Sequence, residues 1–472
     1  ASDVYKRQLL LCATMALSSL SCTNYLDIKP YGRTIPKTAE EFSALLHNHL
    51  NKIDVGNDRL LVGNASQTLV WDAGCGDDFE TCLTEQGGST LVTYVGNIAG
   101  SSNNEYYYRD LYAVIRDCNL VLNEMEEDGT DMAGKVRATA HALRAVAYYQ
   151  LMRMYCEPPQ AGQLATQQGV PLVTVFDMEA EPLRNTLQET IDQIEDDLQK
   201  AIGYHNTDDI YRFTEDVCKG YLARLYFWSE QWSRALPLAQ ELEKKYPLVQ
   251  GEAYKTMMTT ANDLAGNQLL KAYRSNTASS SSELGASSTT MQFRPVSNRL
   301  LSLFPEEERA KDVRYALWFN NKRQAIKTFF CGMRSAEFVL IEAECLYHLG
   351  RQDEALKSIN NLRRHRIEGY TDLTMDNLPP LSSLEIIKVD AEGNPLTPLL
   401  GLILSERRKE FFLESDRFFE MKRNGTPEFW TSYNNRKYTT QSFMYTFPIP
   451  LNDLRIVDGL KQNPGYTNLI SQ

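Results

Sequence analysis

The sequence has no apolar run long enough to cross a membrane as a helix. The N-terminal run Leu9–Leu20 contains twelve residues, and no later run reaches the roughly 18 residues that a spanning helix needs. We therefore expect no membrane-spanning segment anywhere in the chain.

Positive charge is also in deficit, because the chain has 49 Lys and Arg but 61 Asp and Glu, which gives a net charge of −12. This balance gives no reason to expect a nucleic-acid partner. The six His are scattered, and GxSxG, HExxH, P-loop and CxxC motifs are absent. The acids of Asp72–Glu80 do not follow the spacing of an EF-hand loop. We expect no catalytic residue, no cofactor and no metal site.

Helical periodicity is the strongest positive signal. In Val136–Pro159, small and apolar residues recur every three or four positions in two adjacent stripes. Two stripes predict a central helix that contacts more than one neighbour, and its many Ala residues allow close approach. Pro158 and Pro159 should end it.

An internal repeat follows at an offset of 120 residues, between Leu222–Leu236 and Glu342–Leu356. Each copy predicts a helix, a short turn and a second helix that carries an Ala-Leu pair. This pattern is typical of tetratricopeptide helix pairs, in which a small Ala lets the two helices cross closely.

The N-terminus has the features of an export signal. Lys6 and Arg7 precede the run Leu9–Leu20, and Ser21-Cys22 closes it like a lipoprotein cleavage site. We expect residues 1–21 to be a lipoprotein signal peptide and Cys22 to carry the lipid.

Motifs along the whole chain resemble those of the SusD/RagB family of surface nutrient-binding lipoproteins. The C-terminal charged helix matches that family nearly position by position. The matching segments are Gly76–Asp78, Arg137–Pro158, Gly169–Val173, Asn298–Arg314, Leu402–Gly425, Phe447–Pro450 and Gln462–Tyr466.

The resemblance implies a mostly α fold, namely a SusD-like scaffold of tetratricopeptide-type helix pairs with long irregular loops and a few short strands. Residues 22–472 would form one domain, with an N-terminal part at about 30–330 and a C-terminal part at about 331–472. It also implies a non-catalytic, lipid-anchored protein on the outer face of the outer membrane. Its partners would be a glycan and a SusC-like TonB-dependent transporter.

The resemblance places the ligand site on loops outside the helical scaffold, without fixed residues. Sugars are bound by flat aromatic faces together with amides, carboxylates and guanidinium groups. We expect loss of Trp71 or Trp318 to weaken binding and leave the helical core intact. The candidate ligand-binding residues are Trp71, Asp78, Tyr94, Asn97, Arg314 and Trp318.

Several alternatives remain open at this stage. Asp78 could instead hold loop backbone, and Cys75 and Cys82 could form a disulfide. Glu406, Glu410 and Glu414 alternate with Arg at helical spacings, which favours a structural ion-pair network over catalytic acids. Rival functions are peptide or glycoprotein binding in the same family, a lipid-anchored glycoside hydrolase and a helical-repeat adaptor.

Overall fold

The computed structural model describes residues 36–80, 95–100, 102–126, 128–175, 177, 179–260, 264, 266–272, 295–433 and 436–466. The expected signal peptide and the lipidated Cys22 lie outside these ranges. No helix within them is both long and apolar enough to cross a membrane.

The fold is mostly helical, as the sequence predicts. The described α-helices are α1 Ala39–Asp54, α2 Ala65–Leu69, α3 Val95–Ala99, α4 Ser102–Glu124, α5 Asp131–Tyr155, α6 Leu187–Gly203, α7 Glu215–Trp228, α8 Trp232–Lys245, α9 Gly251–Thr259, α10 Asn298–Leu301, α11 Glu306–Arg309, α12 Val313–Trp318, α13 Ser335–His348, α14 Gln352–Arg364, α15 Pro398–Glu410, α16 Arg417–Arg423 and α17 Leu451–Ile456. A π-helical turn, Val70–Cys75, continues α2.

The described strands are short and form three separate antiparallel pairs. They are β1 Gln168–Pro171 with β2 Arg184–Thr186, β3 Gln268–Lys271 with β4 Gly332–Arg334, and β5 Phe429–Tyr433 with β6 Arg436–Thr440. Because each sheet has only two strands, the described strands do not form the core of the fold, which the helices provide.

The central helix of the sequence prediction is α5. The Thr130 side chain caps it by accepting a hydrogen bond from the Ala133 N–H, and the helix ends at Tyr155, before Pro158 and Pro159. Both predicted stripes are buried, and α5 packs on α1, α4 and α6. The prediction of a helix with several neighbours is confirmed.

The repeat prediction is confirmed down to backbone geometry. The turn between α7 and α8 and the turn between α13 and α14 use the same conformations at equivalent positions. Glu230 has φ of +60° where Gly350 has φ of +76°. Non-glycine residues are uncommon in this left-handed region, and its use at the same position in both copies indicates one shared helix-pair turn.

The Ala residues of the repeat lie at the helix crossings. Ala235 and Ala355 are fully buried. We expect Ala235→Leu and Ala355→Leu each to lower the free energy of unfolding by about 1–3 kcal/mol, because the crossing has no space for the added atoms. Urea unfolding is the measurement, and Ala253→Leu on the exposed face of α9 is the control. Unchanged midpoints for both buried variants would contradict the close crossing.

The C-terminal helix α15 carries the buried ion-pair network. Glu410 is fully buried and accepts hydrogen bonds from Arg334 at 2.6 Å, Arg366 at 2.8 Å and Arg314 at 3.2 Å. Glu406 also accepts from Arg314, at 2.9 Å. The predicted ion-pair network is confirmed. These bases, however, come from other elements and not from the same helix.

Candidate functional site

Trp71 lies in the π-helical turn and not in an exposed loop. Its buried ring stacks on Phe418, with centroids 5.3 Å apart, and also contacts Phe419, Phe447 and Tyr107. These contacts correct the expectation of an exposed ring. Trp71 is an anchor between the N-terminal part and α16.

Trp318 is the last residue of α12 and is equally buried. Phe412 and Phe319 contact its ring, and the Lys327 ammonium lies 4.6 Å from the ring centroid. The prediction of a loop position is therefore wrong for Trp318 as well. Ligand contact by either Trp stays a prediction, and in this fold protein atoms cover both rings.

The predicted charged site residues are also in the interior. Arg314 pairs with Asp312 at 2.8 Å and with the acids of α15. Asp78 accepts a hydrogen bond from Arg408 at 2.8 Å. Burial raises the pKa of Asp78, and the charge of Arg408 opposes that rise. Asp78 therefore ties its loop to α15 through the Arg408 side chain, whereas the alternative had it hold loop backbone.

The other two candidate ligand-binding residues, Tyr94 and Asn97, lie at the edge of a described range, 95–100. Tyr94 lies outside it. Asn97 lies in α3, but its side chain is outside the described part. Cys75 is buried as a free thiol, and Cys82, its possible disulfide partner, lies outside the described ranges.

Three hollows formed by described residues differ in how well they suit an oligosaccharide. The cavity beside Trp71 has a volume of only about 130 Å³. A hollow of about 420 Å³ beside α15 is large enough, but its described lining residues include no aromatic ring. A surface groove of about 590 Å³ along α4 combines sufficient volume with aromatic residues.

The groove, here called the α4 groove, lies between α4, the segment 171–182 and the segment 450–460. Its α4 wall presents residues three or four positions apart, which share one helix face. The lining residues are Glu105, Tyr106, Tyr108, Arg109, Tyr112, Ala113, Arg116, Pro171, Val173, Ala180, Pro182, Pro450, Asn452, Asp453, Val457 and Leu460.

Hydrogen bonds and ring contacts fix the tyrosines of the groove. The Tyr112 hydroxyl donates to the Pro171 carbonyl at 2.8 Å, and the Tyr112 and Tyr108 rings lie 4.7 Å apart. Tyr106 is 47% exposed, and the Arg109 guanidinium lies 4.8 Å from its ring centroid. The groove therefore has two tyrosine rings held by protein contacts, Tyr108 and Tyr112, and one exposed ring, that of Tyr106.

Polar groups from both walls complete the groove. Asn452 donates to Glu105 across it at 3.4 Å. Burial raises the pKa of the Asp453 carboxyl, and the negative charge of Glu105 adds to the rise. Arg109 and Arg116 line the same groove. Together these side chains offer donors and acceptors of the kind that hold sugar hydroxyls.

The sequence prediction missed this groove. The Tyr residues of α4 adjoin its buried face and resemble part of the core, and Asn452 lies 347 positions beyond Glu105. Four Tyr within Tyr106–Tyr112, three of which line the groove, form a local signal that could have indicated an aromatic surface.

Two family models match this chain, and together they cover most of its length. The model of the SusD family matches residues 313–466, and a model described as starch-binding associating with outer membrane matches residues 24–227. No protein of curated function matches.

Solved structures have the same fold at low identity. A SusD superfamily protein from Bacteroides fragilis superposes with a TM-score of 0.71 at 21% identity, covering 91% of this chain and 100% of that one. Surface glycan-binding protein A from Bacteroides fluxus gives a TM-score of 0.58 at 18% identity, with the same coverage. A laminarin-binding SusD-like protein gives a TM-score of 0.57 at 18% identity, again covering 91% of this chain and 100% of that one.

Proposed function

Because the chain belongs to the SusD family, we propose that it binds an oligosaccharide in the α4 groove and does not cleave it. The main observation behind this proposal is that an exposed Tyr106 ring lies together with charged and amide side chains in a groove of about 590 Å³. The family model of starch-binding proteins and the similar laminarin- and glycan-binding proteins support the same ligand class.

The chemistry of the groove suits neutral sugars. A pyranose ring places its C–H groups against the face of Tyr106, and the edge of the ring directs hydroxyls toward Glu105, Asn452 and Asp453. Glu105 and Asn452 already contact each other at 3.4 Å, which reduces the conformational entropy that these two side chains lose on binding.

The lining of the groove and the family model described as starch-binding both favour binding without hydrolysis. A glycosidase needs two carboxyl groups with separate roles, one of them protonated. The two carboxyl groups of the groove, Glu105 and Asp453, share it with Arg109 and Arg116. The hydrolase alternative required an acid pair in a cleft away from Arg.

The place of the protein in uptake is part of the same proposal. Anchored by a lipid on Cys22, the chain holds glycan at the outer face of the outer membrane and passes it to a TonB-dependent transporter. A family model described as associating with outer membrane supports this location. A lipidated cysteine supplies the several acyl chains that stable anchoring needs.

We expect Tyr106→Ala to weaken glycan affinity about ten- to a hundred-fold, because truncation removes the stacking surface. Calorimetric titration with laminarin and starch oligosaccharides measures the effect, and a peptide mixture tests the peptide-binding alternative. Tyr106→Phe should keep most of the affinity.

The control for this titration is Tyr204→Ala, which removes an exposed ring outside the groove. Equal affinity for Tyr106→Ala and Tyr204→Ala, with intact melting curves, would contradict the assignment of the groove. Release of reducing sugar by the purified chain would contradict the absence of hydrolysis.

A further inference from the structure

The end of α13 and the loop before α15 bring one imidazole and two carboxylates to a common point. The ligating atoms of His348, Asp390 and Glu392 all lie within 4.8 Å of one another. His348 Nδ1 and Glu392 Oε1 are 3.5 Å apart. This separation is long for a hydrogen bond, but it matches the spacing of about 3.4 Å between two ligand atoms on a tetrahedral zinc ion.

The His348 ring is fixed in place although its buried nitrogen has no hydrogen bond. Its side chain is 2% exposed and stacks on Trp232, with ring centroids 4.2 Å apart and an angle of 7° between the planes. Nε2 has no hydrogen-bond partner among the described residues, and Glu344 Oε1 lies 3.9 Å from it. A metal-binding His commonly directs its second ring nitrogen at a carboxylate, which is the arrangement here.

Both carboxylates are oriented by hydrogen bonds to groups outside the cluster. Trp232 Nε1 donates to Glu392 Oε1 at 2.8 Å, and the Asn394 N–H donates to Asp390 Oδ1 at 2.7 Å. Asp390 is buried, whereas the Glu392 side chain is 38% exposed. The cluster is therefore held in position and open to solvent on one side.

The surrounding charges leave the cluster with an excess of acid. The nearby Arg423 is already engaged, because it pairs with Glu344 at 2.6 Å. Burial raises the pKa of the adjacent Glu230 to about 7; the charge of Arg423 opposes that rise, and the charges of Glu392 and Asp390 add to it. A bound cation would compensate this excess negative charge.

We propose that His348, Asp390 and Glu392 bind one divalent transition-metal ion of the Zn²⁺ class. An imidazole nitrogen with two carboxylates suits Zn²⁺, whereas Ca²⁺ takes six to eight oxygen ligands. The ion fastens the irregular segment 369–397 to the second helix pair, independently of glycan binding. No sequence pattern indicates this site, because His348 and Asp390 are far apart in the chain and follow no ligand-spacing motif.

Calorimetric titration of the full-length, metal-stripped chain with ZnCl₂ tests the proposal. We expect one high-affinity site per chain and a rise in the melting temperature, because the ion binds the folded state. His348→Gln and Asp390→Asn should each weaken Zn²⁺ binding more than about ten-fold, since even the loss of a group that only orients a ligand costs about 10–100-fold. The amide oxygen in Asp390→Asn can still accept the turn hydrogen bond, so this variant is expected to fold.

His205→Gln is the matched control, because His205 and Glu215 form a 2.9 Å pair on the surface. This variant should bind Zn²⁺ as the parent does. Absence of Zn²⁺ binding by the parent, or equal affinity in the parent, His348→Gln and Asp390→Asn, would overturn the proposal. Binding of Ca²⁺ that His348→Gln leaves unchanged, without a Zn²⁺ site, would also overturn it.

Discussion

Glu410→Gln is expected to lower the free energy of unfolding by about 3–5 kcal/mol, because it leaves buried guanidinium groups without their shared carboxylate. Arg314, Arg334 and Arg366 all donate to Glu410, which is fully buried. Urea unfolding at neutral pH measures the loss. Glu354→Gln is the control, because Glu354 pairs with Arg351 at 2.6 Å on the surface, where an ion pair contributes about 0–1 kcal/mol.

The pH dependence gives this prediction a second readout. Although burial acts to raise it, the charges of the three arginines hold the pKa of Glu410 well below its ordinary value of 4.5. A depressed pKa contributes stability at neutral pH, and this contribution is lost as the pH falls below about 4.5. The difference in unfolding free energy between the parent and Glu410→Gln should therefore become smaller as the pH falls below about 4.5. A neutral-pH loss no larger than that of Glu354→Gln would contradict the network.

Trp71→Ala is expected to cost about 3–5 kcal/mol of unfolding free energy, because it opens a cavity among packed rings. Phe418 and Phe419 both have centroids 5.3 Å from the Trp71 ring. This expectation from the structure is the opposite of the one from sequence, which was that loss of Trp71 would leave the helical core intact. Trp318→Ala should behave in the same way, because its ring is equally buried.

Trp430→Ala is the control for these two variants. Trp430 lies on β5, 40% exposed, with the Lys437 ammonium 4.9 Å from its ring centroid. We expect a loss below about 1 kcal/mol, as for most exposed substitutions. A melting curve for Trp71→Ala that matches the curve for Trp430→Ala would contradict the core assignment.

The features that the sequence predicts well depend on local patterns. The two stripes of α5 and the Ala residues of the repeat are set by helical periodicity within a few turns. The turn that Glu230 and Gly350 share is set by the helices on either side. For these elements, local propensity and tertiary packing agree.

The features that the sequence does not predict depend on contacts between segments that are distant in the chain. Trp71 lies in a stretch without helical period, and only the approach of α16 shows that its ring is buried. Three bases of Glu410 lie 44 to 96 residues earlier in the chain. The α4 groove joins Glu105 to Asn452, 347 residues apart. None of these pairings has a spacing that sequence patterns encode.

The most direct measurement of glycan binding in the α4 groove is a crystal structure of the chain with the oligosaccharide that binds most tightly in the titration. We expect a sugar ring against the face of Tyr106, with hydroxyls bound by Glu105, Asn452 or Asp453. A sugar bound at another surface, with the α4 groove empty, would contradict the assignment.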